Sequence, residues 1–87
     1  ASLGCKFEGE SNRIDAVLRN QPASRVGIKA GDRLVKTAGQ EIRSRSDLAT
    51  ALLELRPYQK VDVTVKRNGN RKTFSLTLGE HRRSRSR

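Results

Sequence analysis

The 87-residue sequence predicts one small, mainly β domain that also contains two helices. Only 33% of the residues are hydrophobic, and most of them are Leu, Val, Ile and Ala in short alternating groups, as in strands with one buried face. One longer segment instead has the apolar spacing of a helix. A chain of this length buries only about 60% of its unfolded surface, so we expect no second domain.

Two strands are predicted at the start of the chain, over residues 3–8 and 13–19, and a polar turn joins them. In the second strand, alternation predicts that Ile14, Ala16 and Leu18 share one face. Asn20 and the residues after it favour turns and close the strand. The pair is therefore expected to form a hairpin.

A single helical turn is predicted over residues 22–27, because proline suits the first helical position and glycine suits a left-handed helix end. A turn with Gly and Asp follows it. Residues 33–38 are then predicted as a strand. After a tight turn, Glu41 and Ile42 form a short return in which the isoleucine enters the core.

The longer helix is predicted to begin at Ser44 and to run to about Leu55. Ser44 and Asp47 approximate a capping box, with aspartate in place of the usual glutamate or glutamine. The leucines give a helical apolar stripe, in which Leu48 and Leu53 are expected to face the core. Arginine and proline at 56 and 57 end the helix.

A long hairpin completes the predicted domain. Asn68 and Gly69 form the strongest short hairpin signal in the sequence. The buried faces are expected to contain Val61, Val63 and Val65 in one strand and Phe74, Leu76 and Leu78 in the other.

A spaced signature lies within residues 21–35, with the pairs Pro-Ala, Gly-Ile and Gly-Asp, and Gly39 follows it. With the order of elements over residues 2–79, it resembles a PDZ domain of the bacterial type, found in HtrA-like serine proteases and glycyl-aminopeptidase-like metallopeptidases. The resemblance implies a five- to six-stranded, partly open β-barrel or sandwich capped by one short and one long helix. We expect this PDZ domain to span residues 1–80.

The signature itself is interpreted as architectural. Glycine permits the backbone angles of two tight chain reversals, and Asp32 can hold the second turn by hydrogen bonding. Gly27, Ile28, Gly31 and Asp32 therefore indicate the fold, and the site is expected elsewhere.

The PDZ resemblance implies a loop whose successive backbone N–H groups bind a ligand carboxylate. The matching residues are Leu3, Gly4 and Cys5. Consecutive N–H groups in a turn form an anion-binding concavity, and glycine lets the ligand approach closely. The alternative is an ordinary strand start.

Beyond that loop, the resemblance implies a groove in which a peptide adds to the strand edge at residues 5–8. The predicted groove residues are Lys6, Phe7 and Glu8 on the strand and Arg45, Ala49 and Leu52 on the long helix. We expect a hydrophobic C-terminal ligand residue received by Leu3, Phe7 and Leu52. Arg45 is expected to favour acidic or polar side chains near the third residue from the ligand's end, unless it is a surface arginine with no role.

Catalytic and metal sites are not predicted. His81 is the only histidine and Cys5 the only cysteine, so neither a Cys-His dyad nor a His-based triad would be held in place. We expect a non-catalytic domain without cofactor or metal, and the resemblance implies that its parent protein is a protease.

The charge of +10 supports an alternative function, in which a basic domain binds nucleic acid or another polyanion non-specifically. The cations concerned are Lys66, Arg67, Arg71 and Lys72 near the last hairpin turn and the arginines within residues 81–87. Residues 81–87 are predicted to be a disordered basic tail, which is either a linker or a cloning remnant. Aromatic residues make up only 3% of the chain, so specific nucleic-acid binding is not expected.

The expected partners are C-terminal or extended peptide segments and the rest of a parent protease chain. No membrane span is predicted, and the isolated domain is expected to be monomeric. The family resemblance favours a periplasmic or otherwise extracytoplasmic location.

Overall fold

The structure is a computed structural model, and it describes residues 3–79. Within them, six strands and two helices follow the predicted order. The elements are β1 (Cys5–Phe7), β2 (Ile14–Val17), α1 (Pro22–Val26), β3 (Arg33–Thr37), β4 (Gln40–Glu41), α2 (Arg45–Leu53), β5 (Lys60–Arg67) and β6 (Asn70–Thr77). Residues 81–87, with the predicted basic tail, lie outside the described residues.

The strands form two antiparallel sheets, one of β1 and β2 and one with the order β4-β3-β5-β6. Ile14 joins the sheets, because its N–H donates to the Asp32 carbonyl at 2.8 Å and its carbonyl accepts from Gly31 at 2.7 Å. The described strands do not close into a barrel. The predicted mainly β, partly open sandwich with one short and one long helix is therefore confirmed.

The core lies between the sheets and α2. Its fully buried side chains include Ile14, Leu34 and Ile42. The predicted alternation in the final hairpin is also confirmed, since Val61, Val63, Val65, Leu76 and Leu78 are buried and Phe74 packs against them. Both turn residues, Asn68 and Gly69, have positive φ angles, as the predicted tight hairpin requires.

Helix α2 begins as predicted. The Ser44 side chain accepts a hydrogen bond from the Asp47 N–H at 3.3 Å, and the Asp47 carboxylate accepts one from the Arg43 N–H at 2.9 Å. In a capping box the Asp47 carboxylate would accept from the Ser44 N–H, whereas here it accepts from the N–H of Arg43, one residue earlier. The start of the helix is fixed from both sides.

One expectation about a buried leucine is wrong. Leu53 is 85% exposed, because a position five residues after Leu48 lies roughly 140° around the helix from it. The buried positions of α2 are instead Leu48 and Ala51. Leu18, which was predicted only to share a face with Ile14 and Ala16, is 42% exposed and follows the last residue of β2.

Candidate functional site

Strand β1 is the edge of its sheet, and one side of its backbone is unpaired by any described strand. On the other side, the Gly4 carbonyl accepts from Leu18 at 2.9 Å and the Glu8 N–H donates to Arg13 at 3.0 Å. Because backbone groups alternate in an antiparallel ladder, those of Cys5 and Phe7 point away from β2. They form the open edge.

A groove of about 570 Å³ runs between β1 and helix α2. Its lining residues are Cys5, Lys6 and Phe7 from β1 and Arg45, Leu48, Ala49 and Leu52 from α2. The helical residues have the spacing i, i+3, i+4, i+7, so they share one face. The groove is apolar at its base and has a cation on each side.

The structure brings most of the predicted groove residues together and leaves one out. Glu8 does not line the groove. Its N–H is bonded to Arg13, and its carboxylate pairs with the Arg13 guanidinium at 3.3 Å. Leu48 is buried in the core as predicted, and it also lines the base of the groove; its helical spacing from Arg45 could have identified this second role.

The predicted carboxylate loop has a defined backbone shape. The Leu3 carbonyl accepts from Ala23, whereas within residues 3–79 the N–H groups of Leu3 and Gly4 donate to no described acceptor. Gly4 has φ of +82°, and a Cβ at this position would overlap the side chain of Gln21. Only glycine fits at this position of the loop.

The Cys5 thiol lines the groove and is partly buried. Burial, with a smaller contribution from the negative charge of Asp32, raises the pKa of this thiol to about 11. Cys5 is therefore uncharged at neutral pH and acts as a small apolar group.

Glu10, in the turn between β1 and β2, contacts the first turn of α2 in three ways. Its carboxylate accepts from Arg45 Nη2 at 3.0 Å and from Ser46 Oγ at 2.9 Å. Its carbonyl accepts from the Arg45 N–H at 3.0 Å. The two bonds to its carboxylate lower the pKa of Glu10, the bond from Ser46 most. The sequence treated Glu10 as a solvated turn residue, and its partner lies 35 positions away.

Among residues 3–79, no group of three or more His, Cys, Asp or Glu side chains could hold a metal ion. No helix there is long and apolar enough to span a membrane. His81 lies outside the described residues.

Comparison with known proteins agrees with this geometry. Residues 1–78 match the sequence profile of the PDZ domain family. A "Probable periplasmic serine endoprotease DegP-like" of Marinomonas is 35% identical over 75% of the chain, and "Serine protease Do-like HtrB" of Bacillus subtilis is 33% identical over 90%. The chain spans only 14% and 17% of the length of these relatives.

Solved structures give the same fold. The PDZ domain of HtrA3, bound to a phage-derived ligand, has a TM-score of 0.64 and 31% identity, and the match covers 77% of this chain and 62% of that one. The HtrA-type protease AlgW with a decapeptide has a TM-score of 0.73 and 25% identity, over 88% of this chain and 28% of that one.

An aminopeptidase N family protein from Idiomarina loihiensis shares the fold alone, with a TM-score of 0.76 and 21% identity over 90% of this chain and 14% of that one. The profile match spans nearly all of the described residues, and the predicted resemblance to the PDZ domains of HtrA-like proteases is confirmed. The chain belongs to the PDZ domain family.

Proposed function

We propose that this domain binds the C-terminal end, or an extended segment, of a partner polypeptide by strand addition between β1 and α2. The open edge of β1, which faces the apolar wall of α2, is the observation that carries the proposal. A peptide there would pair its backbone with Cys5 and Phe7 and place alternate side chains in the groove.

The loop before β1 supports binding of a free carboxylate in particular. The N–H groups of Leu3 and Gly4 have no acceptor within residues 3–79, and the N–H of Cys5 points to the open edge. Leu52 and Phe7 would receive a hydrophobic last residue. Leu3, which was expected to contact the same residue, is only 3% exposed and belongs to the core. The domain itself would be non-catalytic, because its groove contains no ionised nucleophile and no histidine.

The relatives support a place within a larger bacterial protease. The serine proteases that match are several times longer than this chain, and two solved neighbours carry a peptide or a phage-derived ligand. By analogy, this domain would bind chain ends for a catalytic domain elsewhere in the parent protein, outside the cytoplasm as in the periplasmic relatives.

The test is a library of synthetic decapeptides with free C-termini, each measured beside an amidated copy by fluorescence anisotropy. Binding that is lost on amidation supports carboxylate capture. Equal binding of both copies would instead indicate an extended internal segment, and no binding by any peptide would contradict the proposal.

A pair of variants on α2 locates the binding site. Ala49 is exposed and lines the groove, whereas Thr50 is exposed and does not. Ala49→Glu should abolish peptide binding, because the longer charged side chain fills the groove. Thr50→Glu adds the same charge on the same helix and should leave the affinity unchanged.

A second candidate function is non-specific binding of a polyanion, and one observation favours it. The strand register places Arg13 opposite Arg33, Arg33 opposite Lys66 and Lys66 opposite Arg71. Directly opposed residues share a face about 4.5–5.5 Å apart, and like charges there are destabilising. Within residues 3–79, Lys66 and Arg71 form no ion pair, so this row could hold a line of phosphates.

The salt dependence of binding to a single-stranded oligonucleotide tests this second function. Each phosphate contact contributes about 0.7 to the slope of log K against log salt. Lys66→Gln and Arg71→Gln should each make this negative slope shallower by about that amount. Lys60→Gln, at the far end of β5, is the control. An unchanged slope in both variants would contradict phosphate binding at this row.

A further inference from the structure

The two cations that line the groove differ in how they are neutralised. Lys6 forms no ion pair within residues 3–79. The charge of Arg45 is instead compensated by Glu10, which does not itself line the groove. The wall formed by α2 therefore presents a neutral pair and not a free cation.

We propose that Glu10 is a positioning residue that sets the charge preference of the groove by holding and neutralising Arg45. This inference rests on the proposed peptide-binding function. The resemblance to PDZ domains implies that Arg45, taken alone, would select an acidic side chain of the ligand. The observed pair changes that expectation, because an acidic side chain of the ligand would have to compete with Glu10 for the same guanidinium.

The geometry shows why Glu10 is well placed to compete. Its carboxylate uses one oxygen for Arg45 and the other for Ser46, and the backbone bond from the Arg45 N–H fixes its distance from α2. An isolated antiparallel β-bridge between the backbones of Ser11 and Ser44 holds the same turn against the start of the helix. A ligand carboxylate would have to displace a partner that is already held at several points.

Removing the charge of Glu10 and removing the charge of Arg45 should therefore shift the ligand selectivity in opposite directions. The probes are the tightest-binding decapeptide of the library and copies with Glu, Gln or Lys at the third position from the end. Glu10→Gln can keep both contacts, with its amide oxygen accepting from Arg45 and its amide N–H donating to Ser46 Oγ, but it leaves the Arg45 charge uncompensated. It should therefore raise the ratio of Glu-peptide to Lys-peptide affinity about two- to five-fold. Arg45→Gln leaves Glu10 as a free anion and should lower that ratio by a similar factor.

The double variant Glu10→Gln, Arg45→Gln should return the ratio to that of the wild type, since Lys6 is unchanged throughout. Glu41→Gln is the matched control, because the Glu41–Arg43 pair is also exposed and has the same 3.0 Å separation but lies outside the groove. Shifts in the same direction, or no shift in either single variant, would overturn the inference.

A measurement without peptide separates this inference from the proposed function. In an NMR titration, the pKa of Glu10 should lie below 4.5 and should rise in Arg45→Gln. If Glu10 titrates normally and is insensitive to Arg45, the pair does not form and the inference is wrong even if peptides bind. If the pair forms but no peptide binds, the proposed function fails, and the charge preference fails with it.

Discussion

Arg67 binds both carboxylate oxygens of Asp32, from Nε to Oδ1 at 2.8 Å and from Nη2 to Oδ2 at 2.7 Å. The same guanidinium also donates to the Gly27 carbonyl, and Asp32 accepts from the Lys29 N–H. The Asp32 side chain is 3% exposed. This bidentate pair connects the end of β5 to the turn before β3, and it holds an aspartate that the sequence identified as a turn residue alone.

Removing either partner should destabilise the domain strongly. Arg67→Gln leaves the buried Asp32 charge without its main partner, and we expect a loss of about 3 kcal/mol in the free energy of unfolding, measured with urea. Arg43→Gln, which removes an exposed pair with Glu41, should cost less than about 1 kcal/mol. Similar losses in both variants would show that burial of the pair has no special effect.

The same pair predicts how stability depends on acid. Hydrogen bonds from Arg67, with smaller effects of the Lys29 N–H and nearby charge, hold the pKa of Asp32 below its ordinary 3.8. A depressed folded-state pKa contributes stability above the unfolded-state pKa, and this contribution disappears as the pH falls through the folded-state value. The stability difference between the wild type and Asp32→Asn should therefore be constant from pH 7 to about 5 and shrink below about 4. A difference independent of pH down to 2 would contradict this assignment.

Gly4→Ala should damage both stability and binding. The substitution strains a residue with φ of +82° and forces the new Cβ against Gln21, at a cost of about 1–3 kcal/mol. Gly9→Ala is the control, since Gly9 also has a positive φ but nothing lies within 4 Å of an added Cβ. We expect Gly4→Ala to lose more stability and to lose carboxylate-dependent peptide binding, whereas Gly9→Ala retains it. Equal effects would mean that the Gln21 contact is unimportant.

Thr37→Val should stabilise the domain. The Thr37 side chain is fully buried, and among residues 3–79 its hydroxyl has no hydrogen-bond partner. Replacing the hydroxyl by a methyl group of similar shape removes that unsatisfied group, for a gain of about 1 kcal/mol in thermal or urea unfolding. Thr64→Val should give no such gain, because the Thr64 hydroxyl lies 3.0 Å from that of Thr73. A destabilised Thr37→Val variant would show that the hydroxyl has a favourable role.

The Cys5 thiol should react slowly in the folded domain. A pKa of about 11 rather than 9.0 lowers the thiolate fraction at pH 8 about 100-fold. Alkylation by iodoacetamide, followed by mass spectrometry, should therefore be slower by roughly that factor than in urea at the same pH. Equal rates would mean that the thiol is not desolvated.

Local signals in the sequence were sufficient for most of the fold. Asn68 and Gly69 directly select a tight turn, and the valines of β5 and the leucines of β6 alternate because one face of each strand is buried. Ser44 likewise identifies the start of α2 through a bond to a residue only three positions away. Such features depend on neighbouring residues, so they can be derived without the tertiary structure.

The long-range ion pairs could not be predicted from such local signals. Glu10 with Arg45 and Asp32 with Arg67 are each separated by 35 positions, and both partners are charged residues that usually lie in solvent. Their pairing depends on how the turns and elements meet in space. Leu53 was assigned to the core for a related reason, because several adjacent leucines left the phase of the helix open until its packing against the sheet was known.

The length of β1 limits how many residues of a peptide could pair with it. Three residues, with an irregular register between Lys6 and Phe7, offer about 10 Å of pairing edge. Such an edge can distinguish only a few ligand positions, so many unrelated chains would share an acceptable ending. Discrimination among them would then come from how often chain ends are exposed rather than from the sequence of one ligand.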